Sequence, residues 1–332
     1  MNNGNNDAVL QVEDLRTHFF TRTGVVKAVD GVSFDLKAGE TLGIVGESGS
    51  GKSMTALSIM RLVPEPGGRI VSGRIMFDGQ DLVELNGSDM SDIRGRDICM
   101  ILQDPMTSLN PVLSVGDQLT ETFRPDAAGP SRAVWDRAVQ LLQMVRIPAA
   151  EIRMRAFPHQ MSGGMRQRVV GAIAISRSPK VLIADEPTTS LDATIQLQYL
   201  RLLKDIQAET GAAIIFITHD FGIVARMCDR VAVMYAGKIV EIADVEDLFY
   251  KPQHPYTQAL LGSVPDLEED VEWLTSIQGQ PPNLDNMPVG CSFEPRCMYA
   301  FDKCQTEYPP EYIVGNKHIA RCWRLDDDHD TA

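Results

Sequence analysis

Over residues 8 to 40 apolar and polar side chains alternate, through Val9, Gln11, Val12 and Leu15 and again through Val32-Ser33-Phe34-Asp35-Leu36. A period of two puts successive side chains on opposite faces of a strand, so this stretch predicts β structure. Ser72-Gly73-Arg74-Ile75-Met76-Phe77-Asp78-Gly79 reads as another strand closing in a turn, and together they predict a small antiparallel sheet. Three further apolar runs, Thr41–Val45, Val181–Ala184 and Ala213–Ile217, are continuous, the pattern of strands buried on both faces. Between the last two lies an amphipathic helix around Gln196 to Glu209. From about 105 to 175 the spacing is helical, clearest over Ala133 to Ile147 with apolar positions at Val134, Ala138, Leu141, Leu142 and Val145. Short buried strands alternating with helices predict an α/β fold around a mostly parallel sheet.

The texture changes after about residue 245. Seven of the 19 prolines fall between Pro252 and Pro295, and four of the six cysteines lie beyond residue 290. A linker is expected near 245 to 255, dividing a large domain over residues 8–248, whose helical part covers about 105–175, from a C-terminal region over 249–332. No internal repeat is evident.

Chemistry enters at Gly46-Glu47-Ser48-Gly49-Ser50-Gly51-Lys52-Ser53, which follows the strand Thr41–Val45 and precedes the helix-prone Met54–Met60. Strand, glycine loop and helix are the context a phosphate-binding loop requires. Backbone N–H groups converge on phosphate oxygens and the helix start adds its positive end; Lys52 can reach the β- and γ-phosphates and Ser53 can ligate Mg²⁺. With ordinary residue usage such a pattern arises by accident in a chain of this length about once in a hundred times. A bound nucleoside triphosphate is therefore expected, beside the small antiparallel sheet.

Other polar residues stand at strand ends. The run Val181–Ala184 finishes in Asp185 and Glu186, where the first carboxylate can hold Mg²⁺ and the second can polarise an attacking water. Gln103 follows Cys99-Met100-Ile101-Leu102 and could coordinate Mg²⁺ or that water, and His219 follows the strand ending at Ile217, suited to sensing a γ-phosphate. A single histidine at a strand end is more often structural; these two residues gain weight from their order. Ser162-Gly163-Gly164 opens a long helical pattern and offers a second phosphate-binding helix start, redundant unless it serves another nucleotide.

The succession of phosphate loop, Gln103, Ser162-Gly163-Gly164, Asp185-Glu186, Ser190-Leu191-Asp192 and His219 resembles the ATP-binding-cassette (ABC) ATPases over about residues 8 to 245. The resemblance implies a RecA-like core carrying an antiparallel β subdomain and a helical subdomain. It also implies a head-to-tail pair of cassettes that sandwiches two ATP molecules. In that arrangement Lys52, Ser53, Gln103, Asp185, Glu186 and His219 serve the ATP held in cis. Ser162, Gly163 and Gly164 contact the partner's ATP, with Asp192 near the shared seam, and a lone chain hydrolyses poorly. Met165 departs from the commonest signature, which has Gln there. An early aromatic residue stacks on adenine in this family; Phe19 fits best by ungapped reading, with adjacent Phe20 as the alternative and a core role open for either.

Lys251–Leu261 and Pro288–Cys297, with the Met161–Met165 signature, look like the ATPases of oligopeptide and dipeptide importers. That resemblance implies a short peptide as the load, delivered by an extracytoplasmic binding protein. Two membrane permease subunits and a second ATPase chain, a paralogue or an identical copy, complete the expected assembly. Nickel and glutathione importers, which use similar ATPases, are the alternative. The cysteines Cys291, Cys297, Cys304 and Cys322 are spaced six, seven and eighteen positions apart, wider than the close pairs of zinc ribbons. A reducing cytosol disfavours disulfides and leaves metal binding or simple burial. The resemblance to relatives with this C-terminus implies a [4Fe-4S] cluster, with zinc or free or oxidised thiols as alternatives. Cys99 and Cys228, in apolar surroundings, are expected to pack.

Composition narrows the rest. The 332 residues carry 31 basic and 45 acidic side chains, a net charge of −14, which argues against a general binder of nucleic-acid backbone. A rival class, the cytosolic ABC ATPases of ribosomes or DNA repair, joins two cassettes in one chain or inserts long coiled coils, and neither pattern is seen. Met1–Asp7 is polar and lacks a signal-peptide core, and the longest apolar runs fall far short of the roughly 20 residues that cross a bilayer. A peripheral place on the cytoplasmic face of the membrane is expected.

Overall fold

The computed structural model describes residues 8–123, 131–189, 191–264 and 276–326, without the side chains of Pro105 and Met106. The polar segment Met1–Asp7 and Ser190 of the Ser190-Leu191-Asp192 motif lie outside the described residues. In chain order the elements are β1 (Ala8–Phe20), β2 (Val25–Lys37), β3 (Thr41–Val45), α1 (Lys52–Ile59), β4 (Gly68–Phe77), β5 (Gln80–Asp81), α2 (Gly87–Ile93) and β6 (Ile98–Ile101). Then come α3 (Pro105–Ser108), α4 (Val115–Glu121), α5 (Arg132–Met144), α6 (Ala150–Arg153), α7 (Gly163–Ile175), β7 (Val181–Asp185), α8 (Ala193–Thr210) and β8 (Ala213–Ile217). The chain continues through α9 (Phe221–Met227), β9 (Arg230–Tyr235), β10 (Lys238–Asp244), α10 (Val245–Tyr250), α11 (Pro255–Gly262), α12 (Asp302–Thr306), β11 (Tyr312–Gly315) and β12 (His318–Ala320). The described residues fall into two compact units, one formed by those within 8–9, 37–40 and 85–216, the other by those within 10–36, 41–84 and 217–326.

In the first unit β6 and β7 pair in parallel, Ile98 opposite Val181 and Ile101 opposite Ala184, and β8 lies next to β7. All five residues of β7 and of β8 are buried, as their unbroken apolar runs predict. The helices around them are set by local signals. Asp192 caps α8 by accepting from the N–H groups of Thr194 and Ile195 at 3.1 and 3.0 Å, and Gly211 ends it in a left-handed turn with φ 70°. Helix α5 buries Ala138, Val139, Leu141 and Leu142, close to the face read from spacing. Cys99 is buried in β6, and burial pushes its thiol up to about 12.

The second unit holds two sheets. The alternating segments form an antiparallel sheet in the order β2-β1-β4-β5, with Leu10 opposite Phe77 and Val12 opposite Ile75. Leu10, Val12, Leu15, Ile75 and Phe77 make its buried face. The other sheet runs β3-β9-β10-β12-β11; β3 and β9 are parallel, and the remaining pairs are antiparallel. Gly43 in β3 is required by a close approach, since a Cβ there would stand 2.8 Å from the Sγ of Cys228.

Residues 245 to 255, expected as a linker, instead form α10 and a turn anchored to β10. The N–H groups of Gln253 and His254 donate to the two carboxylate oxygens of Glu241 at 2.7 and 2.9 Å, and His318 Nε2 lies 2.7 Å from the same carboxylate. Glu241 is 1% exposed, so its charge needs these partners. His254 Nδ1 accepts from the N–H of Tyr256 at 3.0 Å and caps α11, whose first residue is Pro255.

Burial holds the His254 imidazole down to about 4, against the opposing pull of Glu241. The folded protein keeps this ring neutral, whereas the unfolded chain protonates it near 6.5. The contribution is therefore intact above about pH 6.5 and is lost as pH falls through the window from there to 4. Between pH 7 and 5 the loss comes to about 2 kcal/mol. Denaturant melts at both pH values should show the difference shrinking by that amount in His254→Asn, which keeps the cap. An unchanged difference would refute this role.

Candidate functional site

In the second unit, the strand β3 delivers the chain into the loop Gly46–Gly51, and α1 begins immediately at Lys52. Gly46, Gly49 and Gly51 have φ of 151°, 80° and 105°, and Gly51 serves as the left-handed N-cap of α1. A Cβ at Gly46 would meet the Met234 carbonyl, and one at Gly51 would meet the carbonyl of Ala28 on β2, so the antiparallel sheet backs directly onto the loop. Lys52 is 6% exposed and its Nζ donates to the carbonyls of Gly46 and Glu47 at 2.8 and 2.9 Å. Ser48, Gly49 and Ser53 are exposed, while Ser50 is buried with an Oγ that has no partner among the described residues. An ammonium group, an unpartnered hydroxyl and a helix start at one loop form a cradle suited to an anion such as a polyphosphate.

His219 is exposed two residues beyond β8. Thr218 N–H donates to the Ile44 carbonyl at 3.3 Å, which brings His219 alongside the strand that enters the loop. Asp220 turns away from chemistry and caps α9 through the N–H groups of Gly222 and Ile223. Phe19 is half-buried, its ring against Gly68 across the β1–β4 pair, whereas Phe20 is 41% exposed with the Arg69 guanidinium 4.0 Å above its ring.

The first unit gathers the remaining residues. Asp185 is the last, buried residue of β7, and Glu186 follows with φ 46°, a left-handed conformation uncommon for a side chain of this size. The parallel register sets Gln103, two residues past Ile101, beside Glu186, two past Ala184. Gln103 Nε2 donates to Glu186 Oε2 at 3.0 Å, and Thr189 Oγ1 donates to the same oxygen at 2.9 Å. Ser162 caps α7, its Oγ accepting from Met165 N–H at 3.3 Å, and Ser162 and Gly163 are exposed. A Cβ on Gly164 would lie 2.6 Å from Ile195 Cγ2, so this helix start packs against the first turn of α8, the turn that Asp192 caps.

Cys291, Cys297, Cys304 and Cys322 line one cavity in the second unit, together with His254 and Phe293. The chain closes on itself there, with the Cys291 N–H donating to the Cys304 carbonyl at 2.8 Å. Burial pushes the Cys291 thiol up to about 12 and the Cys322 thiol up to about 11. The cavity holds about 10 Å³, room for about one water. Among the described residues no group of three or more His, Cys, Asp or Glu is gathered at metal-holding spacing. Four thiolates are nonetheless the donor set that an iron–sulfur cluster takes.

Sequence reasoning missed three partners. Thr189 shares Glu186 with Gln103. Tyr256 and Arg296 bind Glu47 of the loop: its N–H donates to the Tyr256 hydroxyl oxygen at 2.9 Å, and its carboxylate receives the Arg296 guanidinium at 2.6 and 2.9 Å. Tyr256 lies within Lys251–Leu261, a stretch that resembles the peptide-importer ATPases, but no spacing signal connects position 296 to position 47.

Residues 29–189 match the family model described as ABC transporter, and residues 240–304 match the oligopeptide/dipeptide transporter C-terminal region. The chain is 52% identical to the oligopeptide transport ATP-binding protein OppD of Bacillus subtilis, over 96% of this chain and 90% of that protein. It is 50% identical to the dipeptide transport ATP-binding protein DppD of the same organism, over 96% of each. A solved dimeric bacterial ABC transporter cassette superposes with a TM-score of 0.63 at 26% identity, covering 71% of this chain and 98% of that one. Fold and loop thus define an ATP-hydrolysing cassette of the ABC transporter type. The chain belongs to the ABC transporter family, in its oligopeptide and dipeptide transport ATP-binding branch.

Proposed function

We propose that this chain is the ATPase subunit of a membrane importer for short peptides. The observation that carries the reading is its identity of about one half, over nearly its whole length, to proteins named for oligopeptide and dipeptide transport. Residues 8–248 act as the cassette, with a helical subdomain over about 105–175, and 249–332 as an attached C-terminal region. The loop residues Gly46, Glu47, Ser48, Gly49, Ser50, Gly51, Lys52 and Ser53 take the polyphosphate, and Phe19 stacks on adenine. Ser53, Gln103 and Asp185 are the residues that would hold Mg²⁺, which when bound offsets phosphate charge. Glu186 orients and deprotonates the attacking water, and His219 contacts the γ-phosphate. The exposed helix start Ser162-Gly163-Gly164, with Asp192, serves the nucleotide of a second cassette. What supports these roles is the cradle at Lys52 and the two donors that fix the Glu186 carboxylate.

Among the described residues no helix is long and apolar enough to cross a membrane. We place the chain peripherally on the cytoplasmic face, bound to two permease subunits and a second ATPase chain, and served indirectly by an extracytoplasmic peptide-binding protein. The four C-terminal cysteines are proposed to take a [4Fe-4S] cluster, a reading supported by their lining one cavity. Anaerobic purification of the membrane assembly tests the scheme. Permease proteins should co-purify, without RNA or DNA, and vesicles carrying the assembly and its binding protein should accumulate labelled peptide only with ATP. Uptake of nickel or glutathione in place of peptide would overturn the assigned load, and absence of iron and acid-labile sulfide would remove the cluster.

A further inference from the structure

Glu47 is the second residue of the phosphate loop, yet its strongest contacts run to the far end of the chain. The Arg296 guanidinium takes both of its carboxylate oxygens in a parallel fork, at 2.6 Å from Nη1 and 2.9 Å from Nη2. The fork is itself fixed. Nε donates to the Gln278 carbonyl at 3.0 Å, Nη1 to the Tyr235 hydroxyl at 3.3 Å and Nη2 to the Ile277 carbonyl at 3.4 Å. Only 3% of the Arg296 side chain is exposed. On the backbone side, the Glu47 N–H ends on the hydroxyl oxygen of Tyr256, whose ring is fully buried against Tyr235 and Phe293. One loop residue is therefore gripped at both its side chain and its backbone by residues 209 and 249 positions later.

A carboxylate in a loop that cradles a polyphosphate places negative charge beside negative charge. A planar arginine fork neutralises it with defined geometry, which a lysine could not reproduce. Burial on the arginine side limits screening of this pair by salt. Arg296 also precedes Cys297 directly, so the fork shares its backbone with the cysteine-lined cavity.

We propose that Arg296 and Tyr256 are positioning residues for the phosphate loop, holding and neutralising Glu47 so that the loop accepts the polyphosphate of ATP. Nucleotide affinity is then set in part by the region beyond residue 249. This inference rests on the reading of the chain as an ATPase.

Steady-state hydrolysis by the purified full transporter tests it. Arg296→Ala should raise the KM for ATP about tenfold with kcat within twofold of wild type, and Arg296→Lys should fall between the two. Adding Glu47→Gln to Arg296→Ala should bring KM back to within threefold, because no charge is left to neutralise. Tyr256→Phe, which keeps the ring and removes only the acceptor, should raise KM about threefold. A wild-type KM in Arg296→Ala, or an elevated KM that Glu47→Gln does not relieve, overturns the proposal. Should Arg296→Ala fail to fold, a wild-type KM in Tyr256→Phe overturns it. Lys52→Ala separates the two readings. Lost ATP binding there, beside a wild-type KM in Arg296→Ala, rejects the clamp alone, whereas retained binding rejects the loop as the nucleotide site.

Discussion

Glu186→Gln should bind ATP as tightly as wild type while turnover falls by about 10²- to 10⁴-fold, the usual worth of a general base. The substitution is nearly isosteric, and the geometry around it tells why binding survives. Glu186 lies one residue past a fully buried strand, and a glutamine carbonyl can still accept from Gln103 or Thr189, whose donors converge on one carboxylate oxygen at 3.0 and 2.9 Å. What disappears is the negative charge and the capacity to take a proton from water. Equilibrium nucleotide binding together with single-turnover hydrolysis in the assembled transporter separates the two effects. Hydrolysis at the wild-type rate would remove Glu186 from the role, and a matching loss of affinity would make it a binding residue instead.

Lys52→Ala acts one step earlier. The ammonium group is almost wholly buried and lies within hydrogen-bond distance of two loop carbonyls, so it contributes both charge for the phosphates and order to the loop. We expect ATP affinity to fall at least about a hundredfold, roughly 3 kcal/mol. Lys52→Arg should not restore it, because a planar fork cannot occupy the space of a compact ammonium group inside a buried loop. A titration of nucleotide binding to the purified assembly checks both variants. Undiminished affinity in Lys52→Ala would mean that the phosphates are held elsewhere.

The parts of the fold that were legible in the chain are those with a short physical range. Alternation through Val32–Leu36 marked the buried face of β2, at Val32, Phe34 and Leu36, because a period of two fixes which side chains share a face whatever the strand pairs with, whereas in β1 the buried face carries Leu10 and Val12 and leaves Val9 half-buried. Unbroken apolar runs marked β3, β7 and β8 as buried strands. The helix read at Gln196 to Glu209 extends in fact from Ala193 to Thr210, where an aspartate cap and a left-handed glycine stop it. Boundaries of that kind depend on capping bonds and blur in any reading of periodicity. The phosphate loop was equally plain, since its glycines, lysine and serine are consecutive.

Other features required the folded chain. Asp192 carried the expectation of a seam residue, and within this chain its carboxylate caps α8. The proline-rich stretch near 250 suggested a linker, yet the buried charge of Glu241 draws two backbone N–H groups and His318 onto itself and pins that segment to β10. Four cysteines suggested a cluster, and the fold gathers them around one cavity without setting them at metal-holding spacing.

Consecutive or periodic residues suffice to establish an α/β cassette, its phosphate loop and the order of its polar strand ends, because those depend on contacts within a turn or a strand. That Glu47 is neutralised by Arg296 and tethered by Tyr256, and that Gln103 and Thr189 share the Glu186 carboxylate, was decided by tertiary packing. The reason is physical: an ion pair between residues 249 positions apart is specified by how strands and loops close in space, and no local pattern of side chains encodes it.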